Sequence, residues 1–588
     1  MRDGVRLQTV VYVPRDTVGH SFPVLMTRTP FGAGPYGDST YRRALGPSGN
    51  PRYARDGFIF VIQDVRGSWL SEGQLTMMTP HRTKKGARDV DESTDASDTI
   101  RWLLANVTPN NGRVGIYGTS WPGFYATASC IDAPRAVVAC SPQAPMTDIW
   151  RGDDAFHNGA MMLTANFFGF AGLARPRGAP PGAETFRGRD MSPDAYAAYL
   201  ALGPLGPAAR RLINPDSGWL WYEISAHPTA DAYVRARDIS RHVGGIRAAT
   251  LVVGGWFDAE DLFGPLETYR WTERLNPGIT NVLVMGPWAH GGWGRGDGDK
   301  LGDVNFRAKT AEFYRQKIEL PFFRRFLKGD TNSTPAEAHV FETGTHQWRR
   351  FDAWPPKQAT PRTLYFHAKG ALSFDAPGDA QDAFDEYVSD PAKPVPYTLE
   401  HTAGYPRGYP THDQRFAASR PDVLVYETEP LEEDLTFAGP LQATLHVSTT
   451  GTDADWVIKL IDVYAGDFPD PKPNPAYVAM GGYQQLVRGD VFRGKFRNSF
   501  EKPEPFKPGE LAKIEFEIPD ICHTFRRGHR VMIHVQSTWF PLVDRNPQTF
   551  VNIPTARPED FQKATHRLHR GGKAASSLTV RVLPVGGK

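Results

Sequence analysis

The sequence predicts an α/β domain with an insertion, followed by an all-β domain. In residues 1–145 and again in 245–332, apolar runs of strand length alternate with segments of helical spacing, which is typical of a mostly parallel sheet. The segment 146–244 interrupts this alternation. From 333 to 588, apolar and polar residues alternate with period two between frequent Gly and Pro turns, which is typical of an antiparallel sandwich.

The elements of the α/β domain are predicted from the spacing of apolar residues. Helical spacing predicts a helix over 95–105 and a helical stretch over 313–327. Pro321 is expected to break or kink the second of these, because proline removes a backbone donor. Buried strands are predicted at 24–26, 58–62, 250–253 and 281–285.

One short segment, 113–123, combines a strand, a sharp turn bearing a serine and the start of a helix. Gly118 allows the tight turn, and Gly123 lets the helix pack closely behind it. This order lifts the Ser120 hydroxyl above the sheet, as in the nucleophile elbow of α/β-hydrolases. The second glycine stands one place later than in the common G-x-S-x-G form, and an ordinary Gly-Ser turn is the alternative.

Two later loops supply an acid and a histidine in the chain order that this fold requires, Ser, Asp, His. Asp258 follows the predicted strand at 250–253, and His290 follows the one at 281–285. Side chains beyond the carboxyl ends of neighbouring parallel strands meet at one edge of the sheet. Ser120, Asp258 and His290 are therefore the predicted catalytic triad.

The predicted roles follow from the chemistry of these side chains. A serine hydroxyl is a poor nucleophile, so His290 takes its proton and later gives that proton to the leaving group. Asp258 holds the imidazole tautomer and stabilises the imidazolium. The backbone N–H of Trp121 is a predicted oxyanion donor, worth roughly 3 kcal/mol of barrier.

The segment 146–244 falls between the predicted nucleophile and the predicted acid, where an insertion forms a cap over the site. It is rich in Met, Phe and Pro and contains a predicted helix with Ser192 as N-cap and Pro193 at its first position. In the C-terminal domain, short strands are predicted at 441–447, 514–518, 531–535 and 578–582. Many short strands in a domain of this length favour a jelly roll.

Composition indicates a large soluble enzyme. The 588 residues suggest two to four domains, and the net charge of +2 implies neither nucleic acid nor an anionic membrane as a partner. No run approaches the ~20 apolar residues of a membrane helix. Cys130, Cys140 and Cys522 match neither a disulfide framework nor a zinc spacing and are interpreted as buried small hydrophobes. No metal or other cofactor is expected.

Five groups of residues along the chain carry a family resemblance. They are Arg28-Thr29-Pro30, Asp64-Val65-Arg66-Gly67 with Ser71-Glu72-Gly73, Gly118-Thr119-Ser120-Trp121-Pro122-Gly123, Gly528-His529-Arg530 and Asp544-Arg545-Asn546-Pro547. Together they resemble the cocaine-esterase and X-Pro dipeptidyl-peptidase (S15) family of serine hydrolases over nearly the whole chain. The resemblance implies an α/β-hydrolase domain with a helical cap and a C-terminal jelly roll. Within the family, the chain is most similar to α-amino-acid ester hydrolases, the β-lactam antibiotic acylases.

Those enzymes bind the α-ammonium group of the substrate with a carboxylate cluster, and the resemblance implies its members here. Glu260 and Asp261 match the two carboxylates that follow the catalytic Asp, and Asp154 matches the third, with Asp153 as the alternative. An ammonium at ~4 Å from a carboxylate gains about 4 kcal/mol at an effective dielectric constant near 20. Without a bound cation, packed carboxylates raise one another's pKa. A pair of solvated acidic loops is the alternative interpretation.

The sequence departs from the family pattern near the predicted oxyanion hole. Phe31 stands where many members have a tyrosine whose hydroxyl is the second oxyanion donor. Tyr36 lies five residues on and is a candidate substitute for it. Trp121 replaces the usual tyrosine after the serine, which reshapes the acyl pocket and keeps the backbone N–H.

The predicted function is that of a serine hydrolase or acyltransferase that forms an acyl-enzyme on α-amino acid esters, and on amides such as α-amino β-lactam antibiotics. The alternatives are a general carboxylesterase or an X-Pro-type dipeptidyl peptidase of the same family. An alternative from another class is a non-catalytic glycan-binding or scaffold protein built around the jelly roll.

The expected partner is a small-molecule ester or amide, with no nucleic acid and no membrane, and the resemblance implies a homotetramer by analogy. The N-terminal residues lack an apolar h-region, so no signal peptide is expected in this chain. Met1 aligns with a position inside the family's first strand, and relatives often carry a secretion signal before that strand. If this sequence is a mature form from which such a signal has been removed, the expected compartment is periplasmic or extracellular; otherwise it is cytoplasmic.

Overall fold

The computed structural model describes residues 1–15, 18–37, 40–170, 194–332, 334–378, 383–402 and 406–584. The first thirteen strands within these ranges are β1 Thr9–Tyr12, β2 Phe22–Thr29, β3 Ile59–Asp64, β4 Asn110–Ser120, β5 Val137–Pro145, β6 Phe156–His157, β7 Ala160–Met161, β8 Ala249–Gly255, β9 Asn281–Gly286, β10 Lys300–Leu301, β11 Val304–Asn305, β12 Ala338–Glu342 and β13 Gln347–Phe351. They confirm the strands predicted in the first domain.

Nine of these strands form one sheet in the order β1-β3-β2-β4-β5-β8-β9-β12-β13. Neighbours from β3 to β12 are parallel, and β1 and β13 are antiparallel to their neighbours. Every residue of β8 and β9 is buried, which explains why these central strands read as continuous apolar runs. The carboxyl ends of β4, β8 and β9 therefore lie at one edge of the sheet.

Helices cover the sheet and form the cap. The α-helices in the described residues are Pro51–Asp56, Glu92–Asn106, Trp121–Cys130, Leu163–Ala165, Ala195–Leu202, Leu205–Leu212, Trp219–Ser225, Ala232–Arg235, Phe263–Leu275, Thr310–Phe313, Leu320–Phe323 and Arg415–Ala418. Glu92–Asn106 contains the predicted helix at 95–105 and begins with a capping box in which Asp91 accepts from the Thr94 backbone N–H. The chain stays helical from Thr310 to Lys328, and π-helical turns lie on both sides of the short segment that contains Pro321.

Two predicted boundaries can be compared with the structure: the start of the cap helix and the end of the α/β domain. Ser192 and Pro193 lie outside the described residues, and the described helix begins at Ala195 with Asp194 accepting from the Ala197 N–H at 3.1 Å. The sheet continues past the predicted boundary at 332, because β12 pairs in parallel with β9 and β13 pairs with β12.

The prediction for two of the three cysteines is wrong. Cys130 and Cys140 are joined by a disulfide, with their Cα atoms 6.6 Å apart. Cys130 ends the helix that follows β4, and Cys140 lies on β5 beside that strand, so the fold brings together two residues whose spacing along the chain gave no signal. Cys522 is buried and free, as predicted.

The C-terminal domain is a jelly-roll sandwich of two antiparallel sheets. Its strands are β14 Thr360–Phe366, β15 Leu372–Ser373, β16 Phe384–Ser389, β17 Leu424–Glu427, β18 Leu435–Thr449, β19 Asp455–Val463, β20 Gln484–Arg493, β21 Ala512–Phe525, β22 Arg530–Gln536, β23 Ala564–His569 and β24 Ser577–Leu583. One sheet has the order β15-β14-β24-β18-β23-β16 with β21 beside β18, and the other has the order β17-β22-β19-β20. The four predicted strands fall within β18, β21, β22 and β24. None of the described helices is both long and apolar enough to cross a membrane.

Candidate active site

Ser120 occupies a strained turn between β4 and the helix Trp121–Cys130. Its backbone has φ 68° and ψ −130°, a conformation that costs free energy in any residue with a side chain and that recurs at functional sites. A Cβ on Gly118 would overlap the Pro122 carbonyl, and one on Gly123 would lie 2.6 Å from the Gln143 carbonyl oxygen. The second glycine is thus needed at 123, where the helix approaches β5, which explains the displaced motif.

The loops after β8 and β9 bring Asp258 and His290 together. His290 Nδ1 lies 2.9 Å from Asp258 Oδ2, and the backbone N–H groups of Glu260 and Asp261 donate to Asp258 Oδ1 at 2.9 and 3.1 Å. The Asp258 side chain is fully buried, so these bonds fix both the carboxylate and the imidazole facing it. Ser120 lies at the same edge of the sheet, and within the described residues its Oγ makes no hydrogen bond.

Three further carboxylates surround His290, and we call Asp154, Glu260 and Asp261 the carboxylate cluster. Glu260 Oε2 lies 3.5 Å from His290 Nε2, and Asp261 Oδ2 lies 3.9 Å from His290 Nδ1. The Asp154 N–H donates to the Glu260 carbonyl at 2.9 Å, which ties the segment after β5 to the loop of the acid. Asp261 is completely buried, and neither of its oxygens has a hydrogen-bond partner in the described residues.

Burial and mutual repulsion strongly perturb the titration of this site. Burial, followed by the charge of Glu260, raises the pKa of Asp154 well above its usual range. Burial and the charge of Asp154 do the same to the pKa of Asp261. Burial lowers the pKa of His290, but the carboxylates of Asp258 and Glu260 more than offset it and raise that pKa to about 10. The site therefore crowds several carboxyl groups, whose ionisation burial and mutual repulsion oppose, around an imidazole whose protonation they favour.

Asp153, the alternative cluster member, is engaged elsewhere. Its Oδ2 accepts from the Thr147 N–H and hydroxyl at 2.8 and 2.7 Å, and its Oδ1 accepts from the Gly264 N–H at 2.7 Å. These bonds join the segment after β5 to the start of a helix. By contrast, the Asp154 carboxylate accepts no hydrogen bond within the described residues, so the geometry favours Asp154 over Asp153 as a group that meets a ligand.

The candidates for the oxyanion hole differ in their surroundings. Trp121 is buried at the N-terminus of its helix, where backbone N–H groups are unpaired and the helix dipole favours negative charge. Phe31 is partly exposed and meets the Trp121 ring edge-on at 6.1 Å. The Tyr36 hydroxyl donates to Asp64 Oδ2 at 2.7 Å, so it is engaged with a buried carboxylate. The Trp121 N–H thus remains the oxyanion donor that the geometry supports.

A buried hydrogen-bond network that sequence reasoning missed connects the serine and histidine loops. Gln143 Oε1 accepts from the Thr119 hydroxyl at 3.1 Å and from Trp293 Nε1 at 2.7 Å. Gln143 Nε2 donates to Glu319 Oε1 at 3.0 Å, and this oxygen also accepts from the hydroxyls of Tyr314 and Ser48. Thr119 precedes the serine and Trp293 follows His290, so one amide joins both loops. No spacing in the sequence relates these residues.

The jelly roll also reaches the site from a distant part of the chain. A small cavity beside Asp258 is lined partly by Arg488 and Trp539. His157 lines the same cavity, and its Nδ1 lies 2.9 Å from Asp490 Oδ1 on β20. No local pattern in the sequence places β20 near the α/β sheet, so these jelly-roll residues are not among the predicted site residues. Among the described residues, no group of three or more His, Cys, Asp or Glu is arranged to hold a metal ion.

Comparison with known proteins agrees with the resemblance. Residues 3–292 match the X-Pro dipeptidyl-peptidase (S15) family, and residues 332–579 match the X-Pro dipeptidyl-peptidase C-terminal non-catalytic domain. Cocaine esterase from Rhodococcus sp. (strain MB1 Bresler) is 28% identical over 604 residues, which cover 100% of this chain and 97% of that protein.

Two solved structures are more similar in sequence and cover almost the whole chain. An aminopeptidase from a marine sediment archaeon, Thaumarchaeota archaeon, is 37% identical with a TM-score of 0.89, covering 99% of this chain and 95% of the other. An α-amino acid ester hydrolase is 36% identical with the same TM-score and the same coverage. Fold, motifs and these likenesses together lead to one conclusion: the chain belongs to the X-Pro dipeptidyl-peptidase (S15) family of serine hydrolases.

Proposed function

We propose that this serine hydrolase forms an acyl-enzyme on Ser120 and prefers acyl groups that carry an α-ammonium, in esters and also in amides. In this proposal Ser120, His290 and Asp258 are the catalytic triad. The carboxylate cluster binds the ammonium group and so places the acyl carbonyl over Ser120. Water or an amine such as a β-lactam nucleus then accepts the acyl group.

The buried carboxylate of Asp261 is the single observation that carries this preference. A buried charge is costly unless it is paired, and within the described residues no Lys or Arg pairs with any member of the carboxylate cluster. A protein retains such a group where a ligand supplies the missing cation. An α-ammonium fits, because its three N–H donors suit several carboxylates that converge from two segments of the chain.

The proposed reaction uses atoms whose positions are restrained by the fold. His290 Nε2 takes the Ser120 proton as Oγ attacks the acyl carbonyl carbon, and Asp258 stabilises the imidazolium through Nδ1. The Trp121 N–H donates to the oxyanion of the tetrahedral intermediate. His290 then gives the proton to the leaving oxygen or nitrogen, and the acyl-enzyme is resolved by the same steps with water or an amine as nucleophile.

The relatives support both ester and amide substrates. The two structures with 36% and 37% identity bear the names of an α-amino acid ester hydrolase and an aminopeptidase, and each name denotes cleavage at an amino acid unit. A general carboxylesterase or an X-Pro-type peptidase with the same triad is the second candidate, since the likeness to cocaine esterase and the family's own description favour it. The two candidates differ in whether the acyl group needs its amine.

A pair of esters tests the proposal. Phenylglycine methyl ester and phenylacetic acid methyl ester differ by one amine, and we expect the first to have a kcat/KM at least ~100-fold higher, about 2.7 kcal/mol of transition-state binding. In Asp261→Asn this ratio should collapse towards one. Asp352→Asn, a matched change at an exposed position, should leave it unchanged. Equal kcat/KM values for the two esters in the unchanged protein would make it a general esterase.

The nucleophile is tested separately with a fluorophosphonate probe. Labelling should be lost in Ser120→Ala and retained in Asp261→Asn, because the probe carries no ammonium group and needs only the activated serine. Labelling that persists in Ser120→Ala would place the nucleophile on another residue and overturn the proposed triad.

A further inference from the structure

Glu260 lies beside the nitrogen of His290 that catalysis must use. Asp258 occupies Nδ1 at 2.9 Å, so Nε2 is the atom left to accept the Ser120 proton. Glu260 Oε2 lies 3.5 Å from this same Nε2, and the Glu260 side chain is about one-third exposed, so it can move. An imidazolium flanked by a carboxylate at each nitrogen is a stable ion-paired form, and it cannot act as a base.

The charges that face His290 come from three segments and are mostly negative. From the loop after β8 they are Asp258, Glu260 and Asp261, and from the segment after β5 it is Asp154. Arg295, on the loop after His290 itself, and Arg407 beside it are the cations on that side, and Arg295 interacts with Glu260 through space without forming an ion pair with it. Trp293 packs edge-on against the imidazole at 6.5 Å and carries no charge. The unliganded site therefore favours the imidazolium.

This protonation state opposes the proposed chemistry. With its pKa raised to about 10, His290 is mostly protonated at pH 7, whereas a general base works best with a pKa near the working pH. A cation placed among the cluster carboxylates removes part of the negative field. It also attracts Glu260, which is the one cluster member in contact with Nε2.

We propose that Glu260 is a specificity-determining residue that holds His290 in its protonated form until a cationic acyl donor binds. This inference rests on the proposed function and adds a second use of the substrate amine. When the ammonium binds, Glu260 pairs with it, and the Nε2 proton of His290 leaves to solvent. The neutral imidazole then accepts the Ser120 proton, so the amine accelerates acylation besides contributing to binding.

Glu260 and Asp261 are expected to differ in this respect. Asp261 is fully buried, and its contact with the imidazole, 3.9 Å from Oδ2, is to Nδ1 and not to Nε2. Glu260 is partly solvated and lies nearer to Nε2. Removing the charge of Glu260 should therefore free the base, whereas removing the carboxyl group of Asp261 should only weaken binding of the ammonium.

The test is the pH profile of kcat/KM for the neutral ester, phenylacetic acid methyl ester, between pH 5 and 10. In the unchanged protein, activity on this ester should keep rising with pH above 8. In Glu260→Gln, the rise should shift at least one pH unit lower, with at least ~10-fold more activity at pH 7, while activity on phenylglycine methyl ester falls. Asp261→Asn should leave the neutral-ester profile in place.

An unchanged neutral-ester profile in Glu260→Gln, with normal thermal unfolding, would overturn the inference. Glu260→Ala provides a second test, because it removes the charge without adding an amide that could replace the contact with Nε2, and it should shift the profile in the same direction. The proposed function can fail while this inference holds. In that case the unchanged protein does not prefer the amine-bearing ester, but Glu260→Gln still accelerates hydrolysis of the neutral ester. Glu260 would then restrain His290 without recognising an ammonium group.

Discussion

Two buried groups of carboxylates in this molecule are built in opposite ways. In the jelly roll, the Arg493 guanidinium donates to both oxygens of Asp455 at 2.9 and 2.8 Å and to Asp544 at 2.5 Å, and Asn546 adds a bond to Asp455. All of these side chains are buried. In the candidate active site, Asp261 is also buried, but among the described residues no Lys or Arg forms an ion pair with any member of the carboxylate cluster, and His290 is the cationic side chain in contact with it.

The difference separates a structural cluster from one that, in our proposal, binds a ligand. Burial tends to lower the pKa of Arg493, but Asp455 and Asp544 more than offset it and raise that pKa, so the guanidinium is held in its charged form; at Asp544 burial outweighs the effect of Arg493 and the pKa of that carboxyl is raised. In the carboxylate cluster the pKa of Asp261 is raised, because its ionised form lacks any such partner. The protein thus supplies a cation where it needs rigidity and omits one where, in our proposal, the substrate brings it.

The largest effect is expected when the jelly-roll cluster loses its cation. Arg493→Leu should lower the free energy of unfolding by about 3–5 kcal/mol, because it leaves two buried carboxylates without their partner. The control is Arg567→Leu, which breaks an exposed pair with Glu386 and should cost less than about 1 kcal/mol. Chemical denaturation followed by tryptophan fluorescence measures both. A loss in Arg493→Leu no greater than in the control would mean that the cluster does not stabilise the jelly roll.

A substitution in the carboxylate cluster is expected to change the free energy of unfolding in the opposite direction. Asp261→Asn should raise the free energy of unfolding by ~1–2 kcal/mol at pH 8, the usual gain from one stabilising substitution, while it abolishes the preference for the amine-bearing ester. The raised pKa of Asp261 determines the direction of this change in stability. Above the unfolded value near 3.8, the unfolded chain gives up this proton before the folded protein does, so the folded state loses stability as the pH rises.

The dependence on pH distinguishes this explanation from a general packing effect. The advantage of Asp261→Asn over the unchanged protein should be smallest near pH 4 and should grow with pH. Thermal unfolding at a series of pH values measures it. A variant that is less stable at every pH would show that the Asp261 carboxylate has a partner that stabilises it.

The two clusters also show what sequence reasoning could reach. The prediction that Ser120, Asp258 and His290 lie at one edge of the sheet depends on buried apolar runs, which are local signals. The structure contains the strands that these runs predict. Members of the carboxylate cluster came from the family resemblance, since single carboxylates have no local signature. The Cys130–Cys140 disulfide and the position of β20 beside Asp258 were missed. Both depend on contacts between segments that only the folded chain brings together.

Glu319 is a third kind of buried carboxylate, intermediate between the two clusters. It is completely buried, and one of its oxygens accepts from the neutral donors Gln143, Tyr314 and Ser48. Burial raises its pKa to about 7, and these three hydrogen bonds and the charge of Arg315 only partly offset that effect. Neutral donors therefore keep the carboxyl group in place without fixing its charge at physiological pH.

The smallest effect is expected for Glu319→Gln, and it should appear mainly in the pH dependence. Because the folded pKa lies above the usual value near 4.5, the contribution of Glu319 to stability is present at acid pH and is lost as the pH rises towards 7. The amide keeps an acceptor for Gln143 and does not titrate, so the stability of the variant relative to the unchanged protein should increase from pH 5 to pH 8.5. Since Gln143 joins Thr119 to Trp293, kcat for the amine-bearing ester should fall less than ~10-fold in this variant. A stability difference that does not change between pH 5 and 8.5 would show that Glu319 keeps one charge state throughout, and would place it with the Arg493 cluster as a purely structural group.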